Sequence, residues 1–139
     1  MSDTLNIKEF GEATDESGKH RLVLNCVEVA HPEADKGSTF YDFYSLVWES
    51  MDDNWTERRV ISKADFEKGC ERRRWVSKVH SMDAAGRAVI QVGEEGTPSV
   101  TGEMRVIYSW REWDLAHNQE VRLIRVCRSP FEPFDGNFP

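Results

Sequence analysis

Cysteine pairs, long hydrophobic runs and basic charge are scarce in this sequence of 139 residues. Its three cysteines, Cys26, Cys70 and Cys127, stand far apart, and an odd number without a CxxC spacing argues against a disulfide framework. No run approaches the roughly 18 apolar residues of a membrane span. The first ten residues lack the basic and apolar regions of a signal peptide. We therefore expect a soluble, cytoplasmic protein with reduced thiols and no membrane contact.

Catalytic signatures are also missing. The sequence contains no GxSxG, P-loop, HExxH or GxGxxG motif. The histidines offer candidate bases, and His80 alternates with Lys78 and Met82 on a predicted strand, so that it could face a cavity. A histidine without an identified nucleophile or orienting acid is weak evidence for an enzyme. We therefore expect a non-catalytic protein, with a small enzyme that uses His80 as an alternative.

Metal ligands do not form a recognisable pattern either. Carboxylates cluster with His31 in the charged loops, at Glu33 and Asp35 and then at Asp52 and Asp53, but no EF-hand spacing is present. Charged turns of this kind are ordinary in proteins. The sequence therefore predicts no metal site and no cofactor.

Charge is distributed unevenly along the chain, whose net charge is −7. Residues 1–57 contain 13 acids and 4 bases, residues 58–78 contain 3 acids and 8 bases, and residues 79–139 contain 9 acids and 6 bases. A basic stretch therefore lies within an acidic protein. The acidic remainder makes nucleic acid an unfavourable partner. The basic stretch is either a solvated surface or a site for an acidic protein.

Alternating apolar residues predict a mainly β, β-rich α+β fold. We expect an antiparallel sandwich or small barrel of about seven or eight strands. The predicted strands cover residues 4–10, 21–30, 40–49, 56–61, 75–82, 87–92, 103–113 and 120–128. One short helix is predicted over about residues 63–69, because Ser62 can cap its first turn and Asp65 favours the positive end of its dipole.

The predicted elements divide the chain into three parts. Residues 1–19 form a polar N-terminal segment, residues 20–128 a single β-rich domain, and residues 129–139 an extended tail rich in proline and phenylalanine. The tail has two interpretations. It packs along its own domain and covers a sheet edge, or it docks into a partner as a linear motif.

Arginine and aromatic residues outside the predicted core are the candidates for partner binding. Trp110 and Trp113 lie out of phase on one predicted strand, so at least one of them is expected near the surface, where tryptophan is a common interface anchor. The predicted partner-binding residues are Arg72, Arg73, Arg74, Trp75, Trp113, Phe131 and Phe134.

A second set of residues would line a ligand pocket if the strands closed into a barrel. The predicted strands carry aromatic rings on both faces, which also fits an ordinary packed core. The predicted pocket residues are Tyr41, Tyr44, Trp48, His80 and Tyr108.

Together these features favour a non-catalytic protein-binding module that acts through charged and aromatic surfaces. An inhibitor, an immunity or antidefence factor, an adaptor or an assembly subunit would fit, and its partner is another protein or a second copy of itself. Three alternatives stay open: a small-molecule-binding β-barrel, a small enzyme that uses His80, and a single-stranded nucleic-acid binder that uses Arg72 to Trp75.

Overall fold

Two separate antiparallel sheets of four strands each form the protein. The computed structural model describes residues 5–30, 39–51, 54–70, 72–96, 100–102 and 105–136, and gives only the backbone of residues 5–8, 28–30 and 39–41. The first sheet consists of β1 (Leu5–Thr14), β2 (His20–Ala30), β3 (Thr39–Ser50) and β4 (Thr56–Ser62). After helix α1 (Lys63–Glu67), the second sheet consists of β5 (Arg74–Met82), β6 (Arg87–Glu95), β7 (Val106–Asp114) and β8 (Gln119–Val126).

The predicted mainly β fold with one short helix is confirmed, and its form is an open sandwich. The spatial order of strands in each sheet follows their order in the chain, and the two sheets do not join into a barrel. β5 is the strand through which the second sheet contacts β1, β2 and β3 of the first. β1 comes from the segment that the sequence analysis set apart as N-terminal, and it pairs with β2 along its length.

The main core lies between the sheets and follows the period-two pattern of the strands. Leu24 of β2 pairs with Leu46 of β3, which pairs with Ile61 of β4, and all three are buried. Across the sandwich, β6 contributes Ile90 and Val92. The buried residues of this core are Leu22, Leu24, Cys26, Phe43, Leu46, Ile61, Phe66, Val76, Met82, Ala88, Ile90, Val92, Trp113 and Leu115.

Helix α1 begins as the sequence predicts and seals one side of this core. The Ser62 hydroxyl accepts a hydrogen bond from the Asp65 backbone N–H, and the Asp65 carboxylate accepts one from the Ser62 backbone N–H, so both ends of a capping box are present. Phe66 is buried, with its ring centroid 4.7 Å from that of Trp113 and 6.0 Å from that of Phe43. The helix therefore places one aromatic ring between the two sheets.

Trp110 and Trp113 are both buried, on opposite faces of β7. Trp113 belongs to the main core, whereas Trp110 belongs to a second cluster on the outer face of the second sheet, with Val89, Ile124 and Phe134. The prediction that at least one of the two tryptophans lies near the surface is wrong, because Phe66 covers one ring and the C-terminal tail covers the other.

Two aspartates hold the turns that follow β1 and β7, and both make the fold sensitive to acid. His117 donates to the Asp114 carboxylate from Nδ1 (2.8 Å) and from its backbone N–H (3.2 Å). These bonds lower the pKa of Asp114 against the opposing effect of burial. At Asp15 burial raises the pKa, but hydrogen bonds from Ser17 and His20 outweigh it, so the pKa is again lowered.

We therefore expect stability to be lost in acid. A carboxyl whose pKa is lower in the folded than in the unfolded state stabilises the fold above its unfolded pKa, and this contribution disappears as pH falls through the folded value, below about pH 4. Urea unfolding between pH 6 and pH 2.5 should show a shallower acid loss for the double variant Asp15→Asn, Asp114→Asn than for wild type. Glu16→Gln, which removes one exposed carboxylate, should keep the wild-type slope, and identical slopes for all three proteins would contradict the assignment.

Candidate functional site

Residues 129–136 cross the outer face of the second sheet as an irregular strap. The prediction that the tail is extended is wrong at its start, because the Glu132 N–H donates to the Ser129 carbonyl (3.3 Å) and closes a turn. The Pro130 carbonyl accepts hydrogen bonds from Lys78 Nζ (2.8 Å) and Gln91 Nε2 (3.2 Å), and the Glu132 carbonyl accepts one from Trp110 Nε1 (3.3 Å). We call the face that carries these three donors, together with His80, the tail groove. Each donor is a side chain of the sheet and each acceptor is a tail backbone carbonyl.

Phe134 anchors the strap. Its ring is buried, with its centroid 4.9 Å from that of His80 and 5.7 Å from that of Trp110. Beyond it, Arg125 Nη1 donates to Asp135 at 2.6 Å. Of the two interpretations of the tail, the structure shows packing on its own domain, over a sheet face rather than an edge. Phe134, predicted to bind a partner, contacts its own sheet instead.

Phe131 is the aromatic residue of the strap that faces solvent. Its side chain is 84% exposed, and Lys78 Nζ lies 5.9 Å from the centroid of its ring. An exposed phenylalanine flanked by residues that fix its backbone has the character of an interface anchor. Phe131 therefore keeps the role that the sequence analysis gave it as a candidate.

The predicted arginine stretch divides at Arg74. Arg72 and Arg73 are exposed. Arg73 Nη1 lies 3.7 Å from Glu95 Oε1, and the Arg73 side chain is 63% exposed. Trp75 lies over Gly93, where an added Cβ would come within 2.5 Å of the indole, and it meets Tyr108 edge to face at 6.3 Å. Its ring is therefore partly covered and is not an open stacking platform for a base.

Arg74 turns toward the core. Its guanidinium donates to Cys70 Sγ and to Glu120, both at 3.3 Å, and lies 5.2 Å from the centroid of the Phe66 ring. Glu120 also accepts from Arg111 at 2.7 Å. These contacts line a surface cleft of about 460 Å³ between α1 and the β7–β8 turn. Arg74 is thus committed to groups of its own chain.

One end of the second sheet gathers arginines with exposed apolar residues. β5 and β7 begin there and β6 and β8 end there, since the sheet is an antiparallel meander. Main-chain hydrogen bonds join these ends, from Glu95 N to Arg73 O (3.0 Å) and from Gly96 N to Arg105 O (2.7 Å). We call this region the arginine end, and its residues are Arg72, Arg73, Arg105, Val106, Ile107, Val126 and Arg128.

The apolar members of the arginine end are uncovered. Val106 is 39% exposed, Ile107 48% and Val126 56%. Ile107 and Val126 belong to the core-facing side of the sheet. Ile107 pairs with Glu94 in the row beyond the main core, and Val126 pairs with Ser109 at the β8 end of the row that contains the core residues Val76 and Val92. The first sheet does not extend over them.

The predicted pocket residues are not brought together. Trp48 packs at the core beneath Gly86, Tyr44 is half exposed at a β-bulge of β3, and His80 and Tyr108 lie on the second sheet. The side chain of Tyr41 lies outside the described residues. An open sandwich explains the dispersal, since a barrel interior would have been needed to collect these rings.

Catalytic and metal chemistry gain no support from the described geometry. His80 Nδ1 lies 3.0 Å from Ser81 Oγ, and its ring packs on Trp110 and Phe134 rather than on a carboxylate. Burial raises the pKa of the Cys26 thiol to about 11, which keeps it protonated at neutral pH. Within the described ranges no three His, Cys, Asp or Glu side chains could hold a metal.

The residues that sequence reasoning missed are the donors of the tail groove. Gln91 was not proposed as a binding residue, Lys78 was considered only as part of the basic stretch, and Trp110 was treated only in relation to Trp113. A signal existed at Gln91, which interrupts the apolar run of residues 88–92 and is fully buried. A buried amide on the face opposite Ile90 requires a covering segment with a polar partner.

The described part of the chain contains no helix long and apolar enough to cross a membrane. The charged loop residues considered as metal ligands, His31, Glu33, Asp35, Asp52 and Asp53, lie outside that part. No protein-family model, no curated protein and no solved structure matches this chain.

Proposed function

We propose that this protein is a non-catalytic binding module that recognises another protein through its arginine end and Phe131. The observation that carries the proposal is the exposure of Val106, Ile107 and Val126 at the end of the second sheet that also carries four arginines, together with the exposure of Phe131 on the strap of the same sheet. Scattered exposed apolar residues are normal, but a group of them together with arginine has the composition of an interface core. The three free cysteines fit a reducing compartment such as the cytoplasm.

The partner we propose presents carboxylates next to apolar side chains. Among the described residues of the arginine end there are four arginines, and Glu94 and Glu95 are the acids that adjoin them. Arg73 makes only a long contact with Glu95, and a solvent-exposed pair of this kind contributes little stability. Arginine binds carboxylates with two parallel hydrogen bonds, so an acidic partner surface gains both orientation and affinity.

Site-specific photocrosslinking tests this proposal in a lysate of the source cells. A benzophenone amino acid at position 131 should give one defined crosslinked protein, and Arg73→Glu together with Arg105→Glu should reduce its yield by about tenfold, since like charges then face each other. The partner recovered should expose acidic side chains.

Matched controls distinguish binding at the proposed surface from nonspecific association. The same crosslinker at Tyr44, an exposed aromatic position on the first sheet, should give no such product. Lys19→Glu, at the exposed turn after β1, should leave the yield unchanged. Equal products from positions 131 and 44, or insensitivity to the Arg73 and Arg105 reversals, would reject the arginine end. Salt-dependent binding of a single-stranded oligonucleotide that those reversals abolish would replace the proposal with a nucleic-acid function.

A further inference from the structure

The three hydrogen-bond donors of the tail groove bind the backbone of the tail and not its side chains. All three of its hydrogen bonds end on the carbonyls of Pro130 and Glu132. The Glu132 backbone N–H donates to the Ser129 carbonyl at 3.3 Å, so Pro130 and Phe131 are the central residues of a turn. Proline restricts the conformations of such a segment before it binds, which lowers the entropic cost of presenting its carbonyls to the groove. The side chains that the groove selects are the Phe134 ring and, through Arg125, the Asp135 carboxylate.

The tail does not satisfy the groove completely. Gln91 is fully buried, and its Oε1 accepts no hydrogen bond from any described residue. The neighbouring tail offers no donor there, since Pro130 has no N–H and the Phe131 N–H donates to Ser129 Oγ at 3.3 Å. A buried acceptor without a partner is costly. A different ligand that supplied an N–H at this point would bind this groove more tightly than the tail does.

The contacts that hold the strap also allow it to dissociate from the second sheet. Residues 129–136 form no strand and add no strand to either sheet. The last main-chain bond of the β8 ladder region is from Cys127 N to Tyr108 O. Beyond it, the contacts between the described strap and the sheet include the three carbonyl bonds, the Phe134 ring, the Lys78–Phe131 contact and the Asp135 ion pair, all of them made by side chains of the sheet. The tail can therefore detach without disturbing the main core.

We propose that the tail groove is a peptide-binding site that the protein's own tail occupies until a turn-forming segment of another protein replaces it. That segment carries a proline, an aromatic ring four residues later in the place of Phe134, and a backbone N–H directed at Gln91 Oε1. The groove residues that contact this segment are not residues of the arginine end, although Phe131 lies in the tail that the segment displaces. The Arg73 and Arg105 reversals test the arginine end, and peptide binding tests the groove.

Peptide binding to the full-length protein tests this inference. The probe is a synthetic peptide of residues 128–136, and the readout is the NMR signal of the Trp110 indole N–H, assigned with Trp110→Phe. In wild type the tethered tail competes at an effective concentration on the order of millimolar. Phe134→Ala should loosen the tail and increase the affinity for the peptide at least about tenfold. Asp135→Lys, which breaks the Arg125 contact on the surface, is a second variant with the same expected direction.

A positional scan of the peptide gives the decisive outcome. At least one single replacement near Pro130 should bind about tenfold more tightly than the natural sequence, as the unpaired Gln91 oxygen requires. Replacement of the peptide's Phe134 by alanine should abolish binding. If no replacement binds more tightly than the natural sequence, the groove serves to hold the protein's own tail, and the proposal fails. The proposal also fails if neither variant binds the peptide. It fails as well if size-exclusion chromatography shows that the Phe134→Ala and wild-type proteins form dimers by exchanging their tails.

Discussion

Replacing Trp113 with alanine should destabilise the fold by about 3–5 kcal/mol, the range for deleting a large aromatic side chain from a core. Trp113 is 5% exposed, its ring lies 4.7 Å from that of Phe66, and its indole N–H donates to Asn118 Oδ1 at 3.4 Å. The substitution would leave a cavity where α1, β7 and the following turn meet. Urea unfolding monitored by circular dichroism measures the free-energy difference.

Tyr44→Ala is the matched control, because it removes an aromatic ring from a half-exposed position of the first sheet. It should change the unfolding free energy by less than about 1 kcal/mol. A Trp113→Ala protein as stable as the Tyr44→Ala protein would contradict the burial of Trp113. It would also reopen the original hypothesis that Trp113 is a partner anchor.

Gly86→Ala should have the second large effect, because two separate causes act at this position. Gly86 has φ +88°, a conformation that costs an L-residue about 1 kcal/mol or more. A Cβ at this position would also lie 2.9 Å from Trp48 Cη2. Trp48 extends from the first sheet, so the added methyl would push the two sheets apart. We expect a total loss of about 2–4 kcal/mol, which thermal and urea unfolding measure.

Gly18→Ala separates the two causes. Gly18 also has a positive φ, +73°, but a Cβ there meets nothing within 4 Å. The stability lost in Gly18→Ala should therefore come from the backbone conformation alone and be about 1 kcal/mol. In a double-mutant cycle, Trp48→Leu should reduce the additional cost of Gly86→Ala, since the shorter side chain leaves room for the methyl. Equal losses at the two glycines would show that Trp48 does not press against the β5–β6 turn.

Much of the fold could be predicted because local chemistry and tertiary structure agree along most of the chain. In β2, residues 22–27 carry apolar side chains on both faces, which predicts a strand away from the sheet edge, and β2 is indeed flanked by β1 and β3. The Ser62 cap predicts the start of α1 within one residue. The turn before Gly86 also lies where its sequence places it, between β5 and β6.

The arrangement around β7 could not be predicted, because periodicity does not state which side of a strand faces the main core. Val106, Tyr108 and Trp110 alternate as a core-facing set would, yet they point to the outer side. The core-facing side of the same strand carries Ser109 and Arg111 before it reaches Trp113. The tail makes this possible, since Phe134 supplies the apolar cover that an outward face normally lacks. Only the three-dimensional contact identifies Phe134 as that cover.

Arg74 illustrates the same limit for the candidate site. In the sequence it is equivalent to Arg72 and Arg73, but strand alternation turns it inward, where Glu120 pairs with it across 46 positions of the chain. A contact between residues so far apart in the chain produces no pattern in the sequence around either of them. Of the predicted partner-binding residues, Arg72, Arg73 and Phe131 are exposed and stay candidates. Arg74 and Trp75 are partly covered by their own chain, and Trp113 and Phe134 are buried.

The order of the strands has a consequence for how the molecule assembles. Within the described residues, each strand pairs with its neighbours in the chain, so the β-ladders of each sheet arise from hairpins. Hairpins close short loops, which lowers the entropic barrier to folding compared with other β-sandwiches, whose crossed connections bring distant segments together. We expect each four-stranded half to behave as a cooperative unit. Docking of the halves at Trp48 and Phe66 would then be the late step that makes the native state unique.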